Sequence, residues 1–153
     1  MMIDHVAHPS FDADATHQYY TGVLGARLRA AMTGQSQQWN ARYLLAAYEV
    51  EGAELDFFSY VGIVRPNPDS LPHDIRHVGI AVDSDADLIR IRAQLDEHAA
   101  PYWVETHAGP DDVHVYATDP NGLVLEFSVA GAPWNARPDP YEQLRAWIEL
   151  TAH

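Results

Sequence analysis

A histidine followed about fifty residues later by a carboxylate occurs twice in this chain, in the same local setting each time, and that repetition constrains the fold more than any other feature. Gly52-Ala53-Glu54-Leu55-Asp56-Phe57 matches Gly122-Leu123-Val124-Leu125-Glu126-Phe127: a turn glycine, a carboxylate four residues on, then a phenylalanine. Upstream of each lies an apolar run holding a histidine, Ile3-Asp4-His5-Val6-Ala7 and Arg76-His77-Val78-Gly79-Ile80. The histidine-to-carboxylate separations are 51 and 49 residues. Two such pairings in matching order mark a duplicated structural unit.

The hydrophobic patterning agrees with duplication. Residues 2–8 read as a strand, and Asp14 or Thr16 is placed to cap a helix running to about Leu24, stopped by Gly25. Strands are expected near 26–32, 42–50 and 53–60, the last two joined by a turn at Glu51-Gly52. The second half repeats the order: a strand over 75–83, a helix from Ser84 or Asp85 with Leu88, Ile91 and Leu95 at helical spacing, then strands near 102–106, 112–118 and 122–129. Asp119-Pro120-Asn121-Gly122 supplies the last turn. The chain therefore reads as α+β, with two tandem βαβββ modules (about 2–62 and 75–130) forming a cupped mixed sheet within one domain. A proline-rich connector spans 63–74. Asp139-Pro140-Tyr141-Glu142 opens a C-terminal helix over about 139–151, whose Leu144, Trp147 and Ile148 form an apolar stripe for packing on the sheet.

Composition narrows the function classes. With 153 residues the chain can bury a single-domain core, and its 47% hydrophobic and 20% charged residues are an ordinary globular balance. Nine basic residues against 22 acidic give a net charge of −13, opposite in sign to a nucleic-acid footprint and unsuited to an anionic membrane. No stretch is long enough to span a bilayer and the N-terminus lacks a basic leader, so a soluble cytoplasmic protein is expected. The absence of cysteine excludes disulfides, thiolate ligands and cysteine nucleophiles. Imidazole and carboxylate chemistry remains.

Strand parity sorts the chemistry from the core. Val78, Ile80 and Val82 share one face, and His77, Gly79 and Ala81 the other, small-residue face. On the last strand Leu125, Phe127 and Val129 pack while Glu126 points the opposite way. A carboxylate between Leu125 and Phe127, with no lysine nearby in sequence, needs a cation, a metal or a proton to be tolerated. His5, His77 and Glu126 on one concave surface would form a two-histidine, one-carboxylate facial triad, the donor set of non-haem Fe(II), with Mn(II), Ni(II) and Zn(II) as further divalent candidates.

These residues resemble the vicinal oxygen chelate superfamily, which includes glyoxalases, bleomycin-resistance proteins and extradiol dioxygenases. The resemblance spans roughly residues 2–130. It implies paired βαβββ modules with ligands on the first and last strands of each, which here are His5, His77 and Glu126, with Asp56 at a fourth position. Within it, His107, Val115-Tyr116, Asp119-Pro120, Gly122 and Glu126 are spaced like the extradiol ring-cleaving signature. That resemblance implies active-site roles for His107 and Tyr116; a solvated turn residue and a sheet-packing tyrosine are the alternative uses of the two.

Three functions follow as expectations. The first is an Fe(II)-dependent extradiol-type dioxygenase cleaving a small aromatic diol, with Trp39, Tyr43, Phe58 and Trp103 lining a flat apolar pocket. The second is a metal-dependent glyoxalase, epimerase or lyase, which a fourth ligand at Asp56 would favour. The third is a metal-free protein that sequesters a drug or metabolite, for which the acidic surface would attract a cationic ligand. Pairing of the modules within one chain or across a homodimer stays open.

Overall fold

In a computed structural model, which describes residues 5–37, 40–65, 77–106 and 110–130, the two halves fold alike. The first comprises β1 (Val6–Pro9), α1 (Ala13–His17), a π-helical turn (Gln18–Val23), β2 (Arg27–Ser36), β3 (Ala41–Val50) and β4 (Ala53–Tyr60). The second comprises β5 (His77–Val82), α2 (Asp85–Glu97), β6 (Tyr102–Thr106), β7 (Val113–Thr118) and β8 (Val124–Val129). Each half forms a four-stranded mixed sheet, in the orders β1-β4-β3-β2 and β5-β8-β7-β6. The first strand of each module runs parallel to the last, and the remaining pairs are antiparallel. This is the expected βαβββ duplication.

Local chemistry explains the elements and their departures from expectation. The β3–β4 hairpin turns at Glu51 and Gly52, both with positive φ (47° and 82°), the backbone that two-residue hairpins require. The first helix starts earlier than the sequence suggests. Its N-cap is Asp12, in extended conformation and accepting from the Ala15 amide at 3.0 Å, rather than Asp14 or Thr16. Thr16 is buried instead, donating its hydroxyl to the Asp12 carbonyl at 2.6 Å. The helix then widens into the π turn, where Leu24 N donates to the Tyr19 carbonyl at 3.1 Å. Tyr19 and Tyr20, both within that turn, are buried in the core.

β2 continues to Ser36, beyond the expected end near residue 32. A bulge between Leu28 and Ala30 realigns it with β3, and Gly34 is accommodated because the Tyr43 ring fills the space a Cβ would take. Within the described residues, β1, β7 and β8 begin one to two residues later than the patterning suggested, β5 ends one residue earlier, at Val82, and β6 matches it. The expected C-terminal helix and most of the connector lie outside the described residues. No helix of the described residues is long and apolar enough to cross a membrane.

Core packing joins the modules. Tyr20, Tyr48, Leu55 and Phe57 of the first share one buried cluster with Ile80, Leu88, Ile91, Leu95, Val115, Leu125 and Phe127 of the second. A polar latch sits beside it. Asn121, in the β7–β8 turn, accepts from the Phe11 amide and donates to Thr16 Oγ1, both at 2.9 Å. Tyr20 donates to Asp119 Oδ2 at 3.1 Å, and Asp119 Oδ1 accepts from the Asn121 and Leu123 amides, both at 2.8 Å. At the surface Arg90 pairs with Glu51 at 2.7 Å.

Two outcomes follow. Asn121→Ala takes the acceptor from the part-buried Phe11 amide and removes one of the partners of Thr16 Oγ1, and should lower unfolding free energy in urea by about 1–3 kcal/mol. Burial pushes the Asp119 carboxyl above its ordinary value, so the folded chain holds its proton to higher pH than the unfolded chain does. Its contribution to stability is therefore greatest at low pH and declines as pH rises through the raised value. The stability of wild type relative to Asp119→Asn should fall as pH rises above the ordinary aspartate value of about 4. A rising difference in urea titrations would contradict this.

Candidate metal centre

Parallel pairing sets the geometry of both halves. On the second sheet Gly79 stands opposite Glu126, so His77, two residues earlier, projects from the same face of the neighbouring strand. His77 Nε2 lies 2.7 Å from Glu126 Oε2. On the first sheet Ala7 stands opposite Asp56, and His5 occupies the matching position two residues earlier. His5 Nε2 lies 3.9 Å from Asp56 Oδ2. The two pairs are equivalent by register as well as by sequence.

The faces divide as parity required. Ile80, Val82, Leu125 and Phe127 are buried in the core, while His77, Gly79 and Ala81 are exposed on the opposite face. Gly79 keeps that face open, since a Cβ built there meets only Glu126 Oε2, at 3.9 Å.

The surroundings of the two carboxylates differ. Glu126 Oε1 takes His114 Nδ1 at 2.5 Å and the Tyr116 hydroxyl at 3.1 Å. His114 Nε2 in turn lies 3.0 Å from Asp112 Oδ1. Trp103 stacks on Tyr116 with ring centres 5.0 Å apart and planes 9° from parallel, and its indole N–H donates to Glu105 at 3.0 Å. His77 meets the Tyr116 ring edge-on. Cross-strand register aligns Trp103, Tyr116, Glu126 and Gly79 in one row across the sheet. Asp56 has no such company: it is buried, and its Oδ1 finds no hydrogen-bond partner among the described residues.

The structure thus brings His77 to Glu126 with Tyr116 beside them, and His5 to Asp56. Among the described residues no three His, Asp or Glu side chains converge on a point that an ion could occupy, so the two pairs stand as separate halves. His107 and Trp39 lie outside the described residues. The expected aromatic wall divides in two: Tyr43 packs with Phe58 and Tyr60 on the first sheet, whereas Trp103 packs on Tyr116 on the second. Sequence reasoning gave no role to Asp112 or His114, although their alternation with Tyr116 along the strand was a usable signal.

The donor chemistry fits a divalent cation. Imidazole nitrogens and carboxylate oxygens are the ligands that Fe(II), Mn(II), Ni(II) and Zn(II) share. A buried carboxylate oxygen without a donor, as at Asp56, is the kind of atom a cation satisfies.

Two paired βαβββ modules, each with an imidazole–carboxylate pair between its first and last strands, define the architecture. The sequence profile of the Glyoxalase/Bleomycin resistance protein/Dioxygenase superfamily matches residues 2–127, and the chain belongs to that superfamily. Solved structures share the fold. A glyoxylase/bleomycin resistance protein/dioxygenase domain from Frankia sp. EAN1pec superposes with a TM-score of 0.67 at 17% identity, over 84% of this chain and 97% of that one. Lactoylglutathione lyase from Agrobacterium tumefaciens gives 0.60 at 20% identity, over 88% and 96%. The fosfomycin resistance protein FosX from Listeria monocytogenes, as a mutant complexed with Mn(II) and 1S,2S-dihydroxypropylphosphonic acid, gives 0.58 at 8% identity, over 94% and 97%. A search of curated protein sequences finds no match.

Gly79→Leu tests the open face. The position is exposed, so unfolding free energy should stay within about 0.5 kcal/mol of wild type. Divalent-ion affinity, measured calorimetrically, should fall because the new side chain covers Glu126 Oε2.

Proposed function

We propose that the chain is a divalent-metal-dependent enzyme of the glyoxalase, epimerase or lyase kind, acting on a small molecule that presents adjacent oxygens. The observation that carries this reading is the in-register repeat of a His–carboxylate pair, with an unpartnered buried oxygen on Asp56. Four donors of this kind, His5, Asp56, His77 and Glu126, would hold the ion. The His5–Asp56 pair of one copy completes the His77–Glu126 pair of another. Support for a second copy comes from the separation of the pairs within the chain and from the exposed Leu28 and Met32 on β2.

A bound divalent cation supplies Lewis-acid polarisation of a substrate oxygen. The chain's own residues do the rest. His77 and Glu126 fix the ion from one sheet, and Asp56 adds the fourth donor that separates this reading from a triad. Trp103 and Tyr116 offer a flat apolar wall along the same row, suited to the apolar part of a small substrate. FosX, which shares the fold, has been seen with Mn(II), and the lyase from Agrobacterium tumefaciens offers an analogy for the reaction class.

A second reading has one observation in its favour. The Trp103–Tyr116 stack beside Glu126 would suit a catechol ring, as an Fe(II) extradiol-type dioxygenase using His5, His77 and Glu126 requires. Asp56 separates the two readings. Calorimetric titration with Ni(II), Mn(II) and anaerobic Fe(II) should show binding by wild type and none by Glu126→Ala. With four ligands, Asp56→Ala should weaken affinity at least about tenfold, and wild type should exchange a substrate C–H proton in heavy water. If Asp56→Ala binds like wild type and catechols drive oxygen uptake, the dioxygenase reading replaces the first. If wild type binds no divalent ion, both fail.

A further inference from the structure

Glu126 is surrounded unevenly, and the imbalance assigns work to residues that are not ligands. Its Oε1 is engaged by His114 Nδ1 and by the Tyr116 hydroxyl, while Oε2 faces His77 Nε2 at 2.7 Å. His114 is held from its far side, since Nε2 lies 3.0 Å from Asp112 Oδ1. Asp112, His114 and Glu126 are all largely sheltered, with side chains 13%, 13% and 14% exposed, so these contacts work with little competition from water. The register explains the set: Tyr116 stands directly opposite Glu126 on β8, and His114 stands opposite Ser128, one pleat along on the same face.

Among the described residues the first module has nothing equivalent. The residue opposite Asp56 is Ala47, and the one matching His114 is Leu45, opposite Phe58. The Asp56 Oδ1 is accordingly the oxygen left without a partner. Duplication preserved the His–carboxylate pair, and only the second copy of it acquired a polar support.

We infer that Asp112, His114 and Tyr116 are positioning residues for Glu126: they occupy Oε1, so that Oε2 alone is presented beside His77 as the ligating oxygen. Glu126 is thereby a one-oxygen ligand aimed before any ion arrives, and the second module is the half that captures the ion first. The inference rests on the metal-dependent reading above. Tyr116 acts through Glu126 here, and its hydroxyl is not the donor to substrate that the ring-cleavage signature implies.

The test uses the full-length chain, Mn(II) for affinity and Co(II) for its visible absorption, with circular dichroism to confirm folding of each variant. His114→Ala should weaken Mn(II) binding about 10–100-fold, the usual cost of losing such a support. His114→Asn, whose amide can donate to Oε1 from nearly the same place, should recover most of that loss. Asp112→Ala should weaken binding by itself and add little in the His114→Ala background, because the contact by which it supports Glu126 runs through His114. The Co(II) spectrum of His114→Ala should shift towards higher coordination as Oε1 becomes free to bind. Should His114→Ala misfold, Tyr116→Phe, which removes the other donor to Oε1, carries the same comparison. Unchanged Mn(II) affinity and Co(II) spectrum in His114→Ala, or in Tyr116→Phe where it stands in, with Glu126→Ala still abolishing binding, overturns the positioning role alone. Unchanged binding in Glu126→Ala overturns the metal reading and this inference with it.

Discussion

The parallel pairing of the first and last strand in each module is the constraint on which the site depends. In a parallel ladder the register fixes which side chains share a face, and a one-residue slip would move every one of them to the other side. Here Ala7 opposite Asp56 and Gly79 opposite Glu126 bring His5 and His77 beside their carboxylates. The same register sends Leu55, Phe57, Leu125 and Phe127 into the core. Burial of those four residues holds the pairing in place, so the polar face is positioned by apolar packing on its reverse side. The hydrophobic core and the candidate metal centre are two faces of one strand pair.

Joining the modules calls on polar groups as well as apolar ones. The shared core brings the helical side of the first module against the second. The latch of Thr16, Tyr20, Asp119 and Asn121 gives that contact a fixed geometry, since each buried donor there has a partner. Beyond the core the chain carries −13 net charge, a field that draws cations towards the sheets. Within that field the two halves differ: Glu126 is supported on one oxygen and Asp56 is not. On the proposed metal-dependent reading, a duplicated scaffold with one supported half would give the two modules different work, capture in the second and completion in the first.

Much of the fold was legible in the sequence because its signals are local. Gly52 and the Asp119–Gly122 segment announce their turns, and the alternation around Val78–Val82 and Leu125–Val129 separates core from cup. The repeat then fixed the order of elements. Features that depend on tertiary fit were less legible. The bulge in β2 appears only in its pairing with β3, and the π turn lies where Tyr19 and Tyr20 are both buried. Of the site, the His–carboxylate pairs could be read from spacing and parity, and Tyr116 from its resemblance to the ring-cleavage signature. The supporting roles of Asp112 and His114 could not be read so directly. They depend on which carboxylate oxygen a neighbour reaches, and that is set by rotamers and by the register between strands. Trp103 was singled out for its flat ring, but its stacking on Tyr116 comes from the β6–β7 register.

The central claim is that two His–carboxylate pairs, built alike in two modules, serve one divalent ion. A crystal structure grown with Mn(II), with anomalous scattering recorded to locate the ion, tests it most directly. The account predicts one strong peak shared by His77 and Glu126 of one copy and His5 and Asp56 of another, with Glu126 ligating through Oε2. An anomalous map with no peak at either pair, at an Mn(II) concentration that saturates the protein in solution, would contradict it.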